Sequence, residues 1–247
     1  MMNSWTMRLI AANVVMYFLT SASPGLLNLL MLVPAFAPAA PWTVVTYMFL
    51  HANLWHLLFN MLSLFFFGPR LEHELGGRDF LLLYFISGIA GALLSFLTPY
   101  VAIVGASGAV FGVLLGFARY WPREQIMIWG IIPVEARWLV IIMTVLSLIG
   151  GFGGGGDIAH FAHLGGFAGG LLFLLWRDRN TRAARFKASV MPPPIRPADL
   201  ERWSRIDRAR LHEVNREELD RIMAKLQTGG SAGLTPDERA FLDRFSG

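Results

Sequence analysis

The chain contains no cysteine, which excludes disulfides, thiol nucleophiles and cysteine-ligated zinc from the outset. Charge is scarce as well. Only 15% of the 247 residues are Asp, Glu, Lys or Arg, while 55% are hydrophobic. Soluble domains carry nearer about 25% charge, so a chain of this composition is expected to face lipid. The charge that exists avoids most of the chain. Residues 1–176 hold 6 Lys/Arg and 6 Asp/Glu, whereas 177–247 hold 15 and 11, so the net +4 belongs to the last 71 residues. Lys and Arg are absent from 31–44, 99–104 and 153–157. Acidic residues are absent from the apolar interior of every long hydrophobic run, which leaves no carboxylate for a buried Ser-His-Asp triad.

What is present is a series of apolar stretches near the length needed to cross a bilayer, roughly 20 residues at ~1.5 Å each. They fall at about 9–30, 45–68, 79–98, 105–121, 136–152 and 158–176. Arg8, a short apolar run and Ser21-Ala22-Ser23 imitate a secretory leader. The apolar character resumes after Pro24-Gly25 and continues to Val33, too long for a cleaved hydrophobic region, so this stretch is read as the first span. Arg8 precedes it, Arg70 and Arg78 lie between spans 2 and 3, and Arg119, Arg123 and Arg137 lie between spans 4 and 5. Positive charge in alternate loops is the positive-inside pattern, which puts both termini in the cytoplasm. The expected fold class is an all-α, polytopic membrane bundle of six helices with a small cytoplasmic helical tail. The expected location is the cell membrane, of the bacterial inner-membrane kind.

Polar side chains inside such spans are costly and need a reason. His56 and Asn60 stand four residues apart on one face of span 2, with His51 five residues earlier. Span 4 opens with Gly105-Ala106-Ser107-Gly108, and span 6 with Asp157-Ile158-Ala159-His160-Phe161-Ala162-His163. All three sets fall at the outward ends of their spans, with Ser107 roughly 5–10 Å deep at ~1.5 Å per residue. A serine needs a base to become a nucleophile, and imidazole titrates near the working pH. The oxyanion that follows needs preorganised donors. The Asn60 amide, the His56 ring and the unpaired first-turn amides of span 4 can supply them. Without a carboxylate, such a hydrolase works as a Ser-His dyad.

At these residues the chain resembles the rhomboid family of intramembrane serine proteases. The matching pieces are G-x-S-G as Gly105-Ala106-Ser107-Gly108, H-x-x-x-N as His56 to Asn60, and A-H-x-x-G-x-x-x-G as Ala162-His163 through Gly170. They occur in the family's order on spans 2, 4 and 6, and the similarity covers about residues 1–180. It implies that Ser107 attacks the scissile carbonyl and that His163 serves as base and then acid. It also implies that His56, Asn60 and the Ser107 amide stabilise the oxyanion, with Gly105, Gly108 and Phe111 in support. Trp42 and Glu72 look like family positions too. The chain departs from the family at Thr43, where an Arg often follows the Trp, and at Phe111, often Tyr.

Plainer readings apply to several of these residues. Gly108, Gly112 and Gly116, like Gly166 and Gly170, form small-residue ladders of the kind that pack membrane helices. His51 reads as a buried hydrogen-bonding histidine and His73 as a solvated loop residue. His160 shares a helix face with His163 and competes for the role of base, but the glycine spacing that matches the family follows His163. A zinc site built from His56, His160 and His163 would leave the adjacent G-x-S-G unexplained. A soluble nucleophile elbow needs a strand before the serine, and Val101 to Val104 is too short. No cofactor or metal is expected.

The tail divides into a stiff linker, 181–197, containing Met191 to Pro197, and a helical appendage, 198–247. Leu211, Leu219, Ile222, Met223 and Leu226 recur at helical spacing up to Gly229-Gly230. Thr235-Pro236-Asp237-Glu238 is a capping box that opens a short helix through Phe245. Acids interleaved with bases argue against nucleic-acid binding. The expected partners are the bilayer and transmembrane protein substrates. Three functions stand beside one another: a protease of residues 1–180 cutting single-span membrane proteins near the outer face, a rhomboid-like protein that binds membrane clients without cutting, and a transporter. Polar groups gathered at one end rather than at mid-membrane make the transporter the weakest.

Overall fold

The computed structural model describes residues 4–128, 130–153, 159–180, 195–229 and 233–246. It forms two compact units, Met1–Arg179 and Asn180–Gly247. The boundary falls inside the last helix of the bundle. The expected linker lies mostly outside the described residues.

The first unit is a helical bundle. Helix α1 (Trp5–Ala22) starts at the Ser4 cap and breaks at Ser23, which caps α2 (Pro24–Leu30), so the first apolar stretch is two helices. The chain then passes through a 3-10 turn at Pro34–Phe36, α3 (Thr43–Thr46) and a second 3-10 turn at Tyr47–Phe49. After α4 (Leu54–Leu75) and α5 (Gly77–Leu94) come α6 (Ser107–Tyr120), β1 (Gln125–Ile128), β2 (Ile132–Glu135), α7 (Ala136–Phe152) and α8 (His160–Asn180).

The expected second span, 45–68, is corrected by a break. Thr43–Phe49 and Leu54–Leu75 meet at 92°, and the helix after the bend runs on to Leu75. The cause is local. Leu50 and Asn53 are extended, and the Asn53 side chain accepts the His56 amide at 2.9 Å, so a new helix starts there. His51 therefore sits in the bend rather than on the helix of His56. The antiparallel hairpin of β1 and β2 is a second departure from an all-helical expectation. Among the described residues, Gly77–Leu97 is long and apolar enough to cross a membrane by itself, and the bent pair passes as one unit. Ser107–Tyr120 and Ala136–Phe152 are apolar but shorter.

Small residues let α5, α6 and α8 approach closely. A Cβ added at Gly166 of α8 would lie 2.0 Å from the Gly108 carbonyl oxygen of α6, so only glycine permits this crossing. The far end of α8 is tied by charge. Arg177 Nε donates to Asp79 of α5 at 2.7 Å and Nη2 to the Leu75 carbonyl that ends α4 at 3.2 Å. Asp178 accepts from Arg119 at 2.6 Å and from the Tyr120 hydroxyl at 3.1 Å, both at the end of α6. Glu72, on the last turn of α4, caps α1 by accepting from the Trp5 and Thr6 amides at 2.8 and 2.9 Å.

The second unit contains α9 (Pro197–Ser204), a 3-10 turn at Arg208–Arg210, α10 (Glu213–Gly229) and α11 (Pro236–Phe245). The apolar stripe of α10 packs into a core of Trp203, Leu211, Leu219, Ile222, Leu234 and Leu242, with Met223 and Leu226 half-buried beside it. The capping box at Thr235 and Glu238 forms as expected. Helix α9, which contributes Trp203, lacks a clear apolar period; it lies in the expected appendage apart from Pro197, the last residue of the expected linker.

Candidate active site

Ser107 is the first residue of α6, and the turn before it is held from two sides. The Gly105 amide donates to the Tyr47 carbonyl at 2.9 Å, and Leu32 and Ile103 form an antiparallel bridge just upstream. Gly105 has φ +128°, a region that disfavours side chains, and a Cβ there would lie 2.6 Å from His56 Cε1. The glycine thus turns the chain into α6 and leaves room for the His56 ring against the turn. The first helical hydrogen bond of α6 runs from the Val110 amide to Ala106 O at 2.9 Å. The amides of Ser107, Gly108 and Ala109 precede it, at the positive end of the helix.

His163 lies on the first turn of α8. Its Nε2 is 2.8 Å from Ser107 Oγ, across the glycine-lined crossing of α6 and α8. With the proton on Nδ1, the serine hydroxyl donates to Nε2. The Phe111 ring, one turn along α6 from Ser107, stacks on the imidazole with centroids 4.2 Å apart and planes at 18°. Phe111 in turn touches Phe167 at 4.8 Å. This packing fixes the ring in the plane needed to face Ser107.

His160 goes elsewhere. Its ring fills the space over Gly150 of α7, where a Cβ would lie 2.2 Å from Nε2, and it stands perpendicular to His163 with 6.4 Å between centroids. His51 is buried and meets the edge of His56 at 5.1 Å. Asn60 is buried one turn along α4 from His56, and its amide donates to the His56 carbonyl at 2.9 Å, leaving a second N–H. Gly108 lies under the Ala162 carbonyl, where a Cβ would be 3.1 Å from the oxygen. No group of three or more His, Cys, Asp or Glu side chains able to hold a metal occurs among the described residues.

Two supporting residues were not apparent in the sequence. Tyr47 accepts the Gly105 amide and donates its hydroxyl to Gly88 O at 2.7 Å, tying the turn before Ser107 to α5. Asn53 starts α4 and so sets the direction of His56. A lone tyrosine in an apolar run reads as core, and Asn53 carries a capping signal only once the bend is known. Trp42 and Glu72 lie outside this cluster: Trp42 Nε1 donates to Leu29 O at 2.9 Å, and Glu72 caps α1. His73 is exposed in the last turn of α4.

The sequence matches the family described as Rhomboid domain over residues 38–178. It is 34% identical over 183 residues to Rhomboid-like protease 3 of Toxoplasma gondii, covering 68% of this chain and 67% of that protein. It is 39% identical over 148 residues to Putative rhomboid protease YdcA of Bacillus subtilis, covering 57% and 70% respectively. With RHOMBOID-like protein 1 of Arabidopsis thaliana the identity is 41% over 132 residues, 53% of this chain and 33% of the plant protein.

Proposed function

The chain belongs to the rhomboid family of integral membrane proteins, and from that premise we propose that it is an intramembrane serine endopeptidase with a Ser107–His163 dyad. The observation that carries this reading is the 2.8 Å approach of Ser107 Oγ to His163 Nε2. A packing serine would have no need of a histidine that is itself held by a stacked phenylalanine.

In this mechanism Ser107 Oγ attacks the scissile carbonyl carbon as its proton passes to His163 Nε2. The oxyanion accepts from the Ser107 amide, the remaining Asn60 N–H and the His56 ring. The imidazolium then protonates the leaving amine as the C–N bond breaks, and an acyl-enzyme remains on Ser107. Water attacks the ester with His163 again as base, the carboxylic product leaves, and Ser107 recovers its proton. No carboxylate takes part, so the orientation of His163 falls to Phe111 and the α8 backbone.

Substrates are transmembrane segments of single-span proteins, cut near the outer face. Spans 2, 4 and 6 are α4, α6 and α8, with Ser107, His163 and His56 at the end away from Arg70, Arg119 and Arg137. By the positive-inside pattern those arginines are cytoplasmic, as are both termini, in a cell membrane of the bacterial inner type. The domain reading follows: 1–180 catalyses, 181–197 links, and 198–247 is a cytoplasmic appendage.

The test is cleavage of a single-span reporter by the purified full-length protein in detergent, wild type beside Ser107→Ala. Cleavage by the wild type alone is the expected result. A folded wild type that binds the reporter, never cuts it and resists a fluorophosphonate probe would instead be a client-binding protein.

A further inference from the structure

The strands β1 and β2 join α6 to α7 on the arginine-bearing side of the bundle, and their polarity is graded along their length. At the open end Gln125 pairs with Glu135, beside Arg123, Glu124 and Arg137. Arg70 holds Glu124 at 3.1 Å and Arg137 holds Glu135 at 2.6 Å. Toward the tip every described side chain is apolar: Ile126 pairs with Val134, Met127 with Pro133 and Ile128 with Ile132. The face bearing Ile126 packs on Phe117, Ala118 and Ala136. Among the described residues nothing covers Met127, Ile132 and Ile131, which are 52%, 55% and 77% exposed. A two-stranded hairpin is marginal by itself, and an apolar tip in water would add to that cost.

Helix lengths give a second, independent observation. Helix α6 has 14 residues and α7 has 17, or about 21 and 26 Å at ~1.5 Å per residue. Both fall short of a hydrocarbon core of about 30 Å. The hairpin joins these two helices, with Glu135 followed directly by Ala136 of α7. The hairpin thus stands where α6 ends and α7 begins, and α7 itself carries exposed apolar side chains at Trp138, Ile141, Val145 and Ile149.

We propose that the β1–β2 hairpin is an interfacial lipid anchor, with Met127, Ile131 and Ile132 set among the upper acyl chains of the leaflet on the arginine side. The backbone fixes the depth. Each strand of a two-stranded sheet has one edge of unpaired N–H and C=O groups, which cannot enter hydrocarbon but can meet water and headgroups. The strands therefore lie at the headgroup level and only the side chains descend. Arg123 at the open end meets lipid phosphate, which favours an anionic leaflet. The proposal rests on the chain being membrane-integral and not on any catalytic role, so it stands or falls separately from reporter cleavage.

The absence of cysteine makes the test direct. Ile131→Cys and, as the polar-end control, Gln125→Cys are labelled with an environment-sensitive fluorophore in the full-length protein. Each is reconstituted in vesicles of mixed zwitterionic and anionic phospholipid. Quenching by spin labels placed high on the acyl chain, deep on the acyl chain, and by aqueous iodide is then compared. The expected result is several-fold stronger quenching from the shallow lipid label at 131 than at 125, with iodide reaching 125 preferentially. Iodide quenching at 131 without lipid quenching overturns the proposal. So does shielding of 131 from both, which would mean a second copy or another protein segment covers the tip. Stronger quenching from the deep label overturns the interfacial depth. Met127→Cys repeats the measurement if the tip substitution disturbs the fold.

Discussion

The imidazole of His163 lies face to face with the ring of Phe111, 4.2 Å between centroids and 18° from parallel. Among the described residues no carboxylate meets this imidazole, and in the proposed dyad the ring contact takes over the orienting work that an acidic third member performs elsewhere. Phe111→Leu keeps an apolar side chain but removes the flat face. Aromatic pairs contribute about 0.5–1.5 kcal/mol beyond their buried area, so kcat should fall roughly 2- to 10-fold with little change in KM. Phe111→Tyr should stay near wild type. Steady-state kinetics on a reporter peptide checks both, and a leucine variant at full kcat would remove Phe111 from the mechanism.

His160 and His163 share a helix but not an environment. The first packs over Gly150, and only the second reaches Ser107. Ser107→Ala and His163→Ala should each abolish cleavage in protein that melts like wild type, whereas His160→Ala should keep substantial activity. Loss of cleavage in a well-folded His160 variant, with His163→Ala active, would reverse the assignment of the base.

Donors to the oxyanion act on the transition state rather than on the nucleophile. Asn60→Ala and His56→Ala should slow turnover by about 10²–10³-fold, the usual cost of one lost donor. Ser107 should still take up a fluorophosphonate in both variants, more slowly than wild type. An unchanged rate in Asn60→Ala would show that its second N–H, left over from the bond to the His56 carbonyl, does not serve the oxyanion.

Much of this site could be read from the sequence because its chemistry and its packing use the same motifs. The glycines after His163 and around Ser107 mark where α6 and α8 approach, and that approach puts the two side chains within hydrogen-bond distance. The bend before α4 was hidden because 45–68 averages out as one apolar stretch despite its few polar residues, and hydropathy does not register a change of direction. Only Asn53, a single capping residue, marks it. The hairpin was hidden for a related reason: 126–134 is apolar on both faces, so no alternation announces strands. Tyr47 could not be recognised because its hold on the Gly105 turn comes from its carbonyl, which every residue has, and the Gly88 carbonyl that accepts its hydroxyl is distant in sequence. In the tail, the stripe of α10 was visible at helical spacing, while its partner Trp203 sits on a helix too short to show a period.

Glu238 provides a test of the tail that is independent of catalysis. Its carboxylate accepts the Thr235 amide at 2.7 Å and Lys225 Nζ at 2.9 Å, with Arg221 at 3.1 Å. The Thr235 amide first, and Lys225 second, hold its pKa down at about 2. A carboxyl depressed on folding stabilises the fold at pH values above its unfolded pKa, near about 4.3. That contribution should fade as pH falls from about 4 toward 2 and should be missing at all pH values in Glu238→Gln. Hydrogen exchange of 213–245 in the full-length protein checks this. Equal protection in wild type and variant at neutral pH would show that the network adds nothing.

The tail should be dispensable for the chemical step. Every candidate catalytic group lies between His56 and His163, and α8 is secured before the tail begins. Arg177 reaches Asp79 and the Leu75 carbonyl, and Asp178 reaches Arg119 and Tyr120. These contacts hold α8 to α4, α5 and α6 without any residue beyond 180. The tail also has a core of its own, built from Trp203, Leu211, Leu219, Ile222, Leu234 and Leu242. Truncation after Arg185 keeps all of α8 and should leave reporter cleavage in detergent within a few-fold of the full-length rate. The ion pairs make the complementary case: Arg177→Ala leaves the Asp79 carboxylate and the α4 terminus without their donor. It should lower the unfolding midpoint of the full-length protein, where truncation does not. A truncated protein that melts like wild type yet cuts nothing would mean that the tail acts on the dyad directly.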